Sequence, residues 1–149
     1  MPHAYSTLVH VVFSTKERAP SMDAKIRPDL FAYMGGIVRE IGGVARIING
    51  TEDHVHMLLS LPADIAVAEC LRVVKTNSSR WVHETFARHR SFAWQKGYGA
   101  FKVSVSNEKQ VFKYIQDQER HHRRMTFEEE FVALLRKHGI AFDERFLWK

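Results

Sequence analysis

Apolar and polar positions alternate or recur at helical spacing along the chain, and the pattern predicts four strands and four helices. Within Tyr5–Thr15, the near-continuous β-branched and aromatic run Leu8–Phe13 is typical of a strand buried on both faces. A second strand, Val44–Asn49, turns at Asn49-Gly50 into a third within Thr51–Leu61. The other expected elements are helices at about Pro28–Ile41, Ile65–Arg88, Glu108–His122 and Phe127–Lys137, a strand at Ala100–Ser106, and an aromatic tail at Phe142–Trp148.

The order of these elements predicts the fold class. Strand, helix, strand, strand, helix, strand is the ferredoxin-like split βαβ arrangement of an α+β protein. Hairpins and right-handed crossovers then give a four-stranded antiparallel sheet with two helices on one face, and the later helices are appended at the C-terminus. No linker, repeat or low-complexity segment interrupts the pattern, so we expect a single domain over residues 1–149.

Composition excludes several classes of protein. The hydrophobic content of 45% and charged content of 26% are ordinary for a globular domain. No apolar run approaches the roughly 20 residues that cross a bilayer, and the N-terminus has no signal-peptide core. We therefore expect no membrane partner and a cytoplasmic location. The single cysteine, Cys70, excludes an internal disulfide framework and a cysteine-rich zinc site.

The charge balance suits a polyanionic partner. Lys and Arg number 22 against 17 Asp and Glu, which leaves a net charge of +5. An aromatic, basic loop at Phe92–Gly99 holds either core anchors or platforms for stacked bases. For each basic residue, a solvated surface position is the alternative to a phosphate contact. The candidate phosphate contacts are Lys16, Arg18, Lys75, Arg80 and Lys96.

The third strand carries candidate metal ligands. Because side chains alternate along a strand, His54 and His56 point to the same side. Two imidazoles side by side make half of a metal site; the alternative is one buried, hydrogen-bonded histidine and one on the surface. Asp53 either orients an imidazole or is a turn residue.

The helix at about 108–122 carries the candidate second half. Tyr114 and Gln118 are four residues apart, so they are neighbours on one helix face, although a surface pair has the same spacing. We expect His121 and His122 to lie beyond that face, as basic surface.

Together, the two motifs resemble the HUH single-tyrosine transposases, the TnpA-type enzymes of the insertion-sequence two hundred/six hundred and five family. His54-Val55-His56 on a strand is followed about 60 residues later by Tyr-x-x-x-Gln on a helix. The resemblance covers nearly the whole chain in five ordered segments: His10–Lys16, Asp53–Leu59, Leu71–Ser79, Trp94–Tyr98 and Tyr114–Gln118.

The resemblance implies a metal-dependent transposase that acts on single-stranded DNA. Tyr114 would attack a phosphodiester beside a hairpin at the element's end, giving a 5′-phosphotyrosine and a free 3′-hydroxyl that later reverses the step. His54, His56 and Gln118 would hold magnesium or manganese, although imidazole ligands favour manganese or zinc over magnesium. The family's proteins form homodimers and use no small-molecule cofactor.

Three other functions are compatible with parts of the sequence. A repurposed, catalytically silent protein would bind DNA hairpins as a regulator, although Tyr114 and Gln118 are intact. A ferredoxin-like RNA-binding domain would carry aromatic residues on its exposed strands, where His54 and His56 stand here. Replication initiators and relaxases share the histidine pair but are usually larger.

Overall fold

A computed structural model, which describes residues 1–148, shows the predicted four-stranded antiparallel sheet. The strand order is β2-β3-β1-β4, and each neighbouring pair is antiparallel. This is the ferredoxin-like order, so the predicted fold class is confirmed. The strands are β1 (Leu8–Ser14), β2 (Val44–Gly50), β3 (His54–Ser60) and β4 (Gly99–Lys102).

Helices cover both faces of the sheet. Two long helices pack on one face, and the C-terminal helices lie on the other. No helix within residues 1–148 is long and apolar enough to cross a membrane. The helices are α1 (Arg27–Glu40), α2 (Val67–Thr85), α3 (Glu108–Gln116), α4 (Gln118–His121), α5 (Phe127–Lys137) and α6 (Glu144–Leu147).

The main core lies between the sheet and the α1–α2 layer. Alternate residues of β1 and β3, among them Val11, Phe13, Val55 and Met57, are fully buried there. β1 is buried on both faces, as its continuous apolar run predicts.

The opposite face of the sheet holds the histidines. Val12 and Phe101 pack there against α5 through Phe127, Leu134 and Leu135. The approach of α5 is close at Gly99, where a Cβ would lie 2.7 Å from the Phe131 ring. His10, His54 and His56 therefore lie in a buried layer between the sheet and the C-terminal helices.

Among the predicted elements, β4 is shorter than expected and the helix after it is divided. β4 ends at Lys102 instead of Ser106, because its partner β1 begins at Leu8; the Val103 N–H donates the last cross-strand bond to Leu8 O at 3.1 Å. The helix expected over 108–122 is divided at Asp117. The Asn49 amide causes this interruption, since it donates to the carbonyls of Ile115 and Gln116 at 3.0 and 3.1 Å.

Candidate active site

The hairpin between β2 and β3 positions His54. Gly50 allows the two strands to approach closely, since a Cβ there would lie 2.1 Å from the His54 carbonyl oxygen. The His54 ring is fully buried, with Nδ1 2.7 Å from Asp53 Oδ1 and 3.0 Å from Thr51 Oγ1. Asp53 is therefore both a turn residue and the acceptor that orients this imidazole, which leaves Nε2 directed into the site.

His56 is also fully buried, so neither histidine of the pair is a surface residue. Its Nδ1 lies 2.8 Å from Nε2 of His10, a buried residue of β1. Its Nε2 lies 2.9 Å from Oε1 of Glu130. The two imidazoles of the pair therefore present the same ring nitrogen, Nε2, to one place.

Glu130 of α5 occupies that place, and the sequence analysis did not identify it. Its Oε1 lies 2.9 Å from His56 Nε2, 3.5 Å from His54 Nε2 and 3.0 Å from His122 Nε2. The feature of the sequence that could have identified Glu130 is its position on the apolar stripe of α5, three residues after Phe127 and four before Leu134. A carboxylate at a buried helical position needs partners, and here they are imidazoles.

Gln118 reaches the same site from α4. Its side chain is fully buried, with Oε1 3.3 Å from His54 Nε2, while its Nε2 donates to the Tyr114 carbonyl at 3.2 Å. The Asn49 contacts to the end of α3 hold this segment against the hairpin. The structure thus brings His54, His56 and Gln118 together.

Tyr114 of α3 lies beside the histidine pair of the same chain. Its hydroxyl donates to Glu130 Oε2, and its ring centroid lies 5.9 Å from that of His56. Burial, and then the Glu130 charge, raise the pKa of the phenol. The tyrosine opens onto a cavity of about 440 Å³, which Lys102, Gln110 and Lys137 also line.

The expectation that His121 and His122 are basic surface is wrong. His122 Nε2 bonds to Glu130, and its ring centroid is 4.2 Å from that of His54. His121 stacks on the Tyr114 ring with centroids 4.6 Å apart. The interruption at Asp117 and the turn before α5 fold both residues back over the site.

The site can hold a divalent cation. One ligand atom from each of four residues lies within 4.8 Å of all the others: His54, His56, His122 and Glu130. Burial opposes a charge on His54, but Asp53 and Glu130 outweigh it and raise its pKa to about 9. Burial lowers the pKa of His56, and burial with the His56 contact lowers that of His10 to about 3. Imidazole nitrogens around a carboxylate form a donor set suited to divalent ions.

Lys75 is bound within the fold. It projects from α2, on the far side of the sheet from the histidines, and Nζ donates to the carbonyls of Gln95, Lys96 and Gly97 at 3.0, 3.3 and 2.6 Å. Burial lowers its pKa to about 8, so it remains an ammonium at neutral pH. These bonds hold the loop after α2 against the helix.

The other four predicted phosphate contacts are exposed or partly exposed. Lys16 and Lys96 are exposed, and Arg80 is exposed with its guanidinium 2.6 Å from Asn77 Oδ1. Arg18 pairs with Glu128 of α5 at 2.8 Å. Within residues 1–148, none of these four side chains lines the cavity beside Tyr114.

The sequence left two roles open for the aromatic residues of the loop at Phe92–Gly99, core anchors or platforms for stacked bases, and the structure contains residues suited to each. Phe92 and Trp94 are core residues, and Trp94 Nε1 donates to Ser78 Oγ at 2.9 Å. Tyr98 is 40% exposed beside Lys75 and remains available for stacking.

The sequence of this chain matches the model of a known protein family. The model of the IS200-like transposases matches residues 3–118, which include both histidines, Tyr114 and Gln118. The chain belongs to the IS200-like transposase family. The match ends before Glu130 and α5. A comparison with curated proteins gave no match.

Solved structures agree with this family at the level of the fold. A proposed transposase from Deinococcus radiodurans R1 is 20% identical, with a TM-score of 0.66 over 79% of this chain and 95% of that one. A REP-associated tyrosine transposase bound to a REP hairpin is 13% identical, with a TM-score of 0.61 over 82% of this chain and 73% of that one. At these identities, the likeness shows a shared fold.

Proposed function

We propose that this transposase cleaves and rejoins single-stranded DNA beside hairpins, through a covalent link to Tyr114. One observation carries the proposal. The Tyr114 hydroxyl lies beside His54 and His56 of its own chain, bonded to the carboxylate on which their Nε2 atoms converge. This proximity of the proposed nucleophile to the proposed metal ligands, within one chain, supports the proposal.

The proposed step conserves the phosphodiester. The Tyr114 oxygen bonds to phosphorus while the bond from phosphorus to the 3′ oxygen breaks, and the phenolic proton is transferred overall to that 3′ oxygen. The products are a 5′-phosphotyrosine and a free 3′-hydroxyl, and the reverse step rejoins the strand without an external energy source. An aryl oxide is a better leaving group than an alkoxide, which favours tyrosine for a reversible link.

His54, His56 and Gln118 are the proposed ligands of the divalent metal, magnesium or manganese. The ion would polarise the phosphate and stabilise charge on the leaving oxygen. Asp53 and His10 contact the Nδ1 atoms of the two imidazoles at 2.7 and 2.8 Å, so that each Nε2 is directed toward Glu130.

Hairpin DNA is the proposed substrate. The net charge of +5 favours a polyanion. The structural neighbour that is bound to a REP hairpin supports hairpin DNA as the ligand. We retain Lys16, Arg18, Lys75, Arg80 and Lys96 as proposed phosphate contacts, with Lys75 the least available because three carbonyls already occupy its ammonium. A homodimer, as in the family, is part of the proposal.

A denaturing gel tests this function. The protein is incubated with single-stranded hairpin DNA from the flanks of its gene, labelled at the 3′ end, with manganese or magnesium. We expect a covalent protein–DNA band that carries the label and disappears with chelator. Hairpin binding with either metal but no covalent band would instead establish the silent hairpin-binding regulator.

A further inference from the structure

Glu130 is not among the three ligands of the proposed function, although its carboxylate contacts His54, His56, His122 and Tyr114. It is 1% exposed, and its two oxygens divide their contacts. Oε1 faces the Nε2 atoms of the three histidines, and Oε2 accepts from the Tyr114 hydroxyl. It also lies beyond the residues that the family model matches.

We propose that Glu130 is an additional, anionic ligand of the divalent metal, supplied by α5, and that the same carboxylate positions the Tyr114 hydroxyl beside the ion. The inference rests on the metal site of the proposed function and adds a ligand to it.

The spacing of the donor atoms supports this role. Cis ligands of an octahedral ion with bonds of about 2.1 Å lie about 3 Å apart. Glu130 Oε1 is 2.9 Å from His56 Nε2 and 3.5 Å from His54 Nε2, and Gln118 Oε1 is 3.3 Å from His54 Nε2. These three donor–donor distances are therefore close to those of neighbouring ligands around one ion.

The construction of α5 supports it as well. The Thr126–Glu129 capping box fixes the first turn of the helix, and Phe127 and Leu134 anchor the same face to the sheet. Glu130 is thus held by packing on both sides, and His122 fixes its Oε1 at 3.0 Å. A ligand held in this way loses little conformational freedom when the ion binds.

A carboxylate changes the character of the site. His54, His56 and Gln118 are neutral ligands, so the bound ion would keep its full double charge. With Glu130 the set becomes two imidazoles, an amide and a carboxylate, which favours manganese over magnesium more than an all-oxygen site does. One carboxylate joined to both the ion and the nucleophile also fixes the distance between them.

In the opposite interpretation, the Glu130 carboxylate is a stand-in for the ion: it occupies the metal position in the metal-free protein and moves away when the ion binds. The two interpretations predict effects of opposite sign. If Glu130 is a ligand, Glu130→Gln weakens manganese binding; if it is a stand-in, the same change leaves binding unchanged or makes it tighter.

Titration of manganese, followed by the paramagnetic resonance signal of the free ion, distinguishes them without DNA. We expect Glu130→Gln to weaken binding by at least about 10-fold, and Glu130→Asp to retain part of the affinity. Glu84→Gln, an exposed change on α2, is the matched control for loss of one negative charge.

Circular dichroism and thermal unfolding establish that each variant is folded. Unchanged or tighter manganese binding by folded Glu130→Gln would overturn the inference while leaving the proposed function intact. Conversely, weakened binding in Glu130→Gln together with no covalent adduct from the parent protein would support the ligand and refute the proposed reaction.

Discussion

The hydroxyl of Tyr114 donates a hydrogen bond to the carboxylate of Glu130, which joins α3 to α5 across the histidine layer. The other oxygen of that carboxylate lies 2.9 Å from His56. The candidate nucleophile and the candidate metal ligands are therefore linked through one buried side chain. Its helix begins after the family match ends, so a segment outside the shared family region shapes this site.

The first prediction concerns the metal ligands. His56→Ala and Gln118→Ala should each lower manganese-dependent cleavage of hairpin DNA by about 100-fold or more. Each variant loses a proposed ligand of the divalent ion, and the charge of that ion would stabilise the leaving oxygen. His3→Ala, an exposed change near the N-terminus, serves as the control. Parent-like cleavage rates in His56→Ala would remove that residue from the ligand set.

A second prediction concerns pH and the metal-free protein. Burial disfavours charge on His54, yet Asp53 and Glu130 raise its folded pKa to about 9. A raised pKa adds stability that is fully present below the unfolded value near 6.5 and is lost as pH rises to about 9. The free energy of unfolding should fall by on the order of 2–3 kcal/mol across that range.

Denaturant unfolding of chelator-treated protein at several pH values measures this loss. In His54→Gln the decline between pH 6.5 and 9 should be much smaller than in the parent. Parallel curves for the two proteins would show that His54 does not carry the pH dependence.

A third prediction separates a structural role of Lys75 from a DNA contact. Lys75→Met removes the donor to three loop carbonyls, so it should lower the free energy of unfolding by about 1–3 kcal/mol. Arg72→Met, an exposed change on the same helix, should stay within about 0.5 kcal/mol of the parent. A fully stable Lys75→Met protein that loses DNA affinity would assign Lys75 to the DNA instead.

The exposed basic residues lead to a fourth prediction. If Lys16 and Lys96 contact phosphates, Lys16→Ala and Lys96→Ala should each weaken hairpin binding at every sequence and reduce the salt-dependence slope by about 0.7–0.9. Arg39→Ala, an exposed change on α1, is the control. Binding isotherms at several salt concentrations measure both quantities, and unchanged slopes would exclude the contacts.

Local patterns accounted for much of this molecule. The period-two pattern placed His54 and His56 on one face, and the order of elements predicted the sheet. Helical spacing placed Tyr114 above Gln118, although the interruption at Asp117 came from a distant amide, that of Asn49. Such a long-range bond leaves no periodic signal in the helix that it interrupts.

Glu130 and His122 were missed for a related reason. Their roles depend on how the turn between α4 and α5 folds the chain back over β3, which the periodicity of neither helix determines. Lys75 is predicted from the sequence to contact phosphate, yet its long side chain reaches the carbonyls of a loop 20 residues later. Sequence spacing predicted the faces of elements better than the partners of long polar side chains.

The central claim is that Tyr114 forms the covalent link, and mass spectrometry of the trapped adduct tests it most directly. Parent protein and Tyr114→Phe are incubated with hairpin DNA and manganese, and the adduct is digested with nuclease and protease. We predict a nucleotide mass on the peptide that contains Tyr114, no adduct in Tyr114→Phe, and hairpin affinity close to that of the parent in the variant. A nucleotide on any other residue, or an adduct that persists in Tyr114→Phe, would contradict the account.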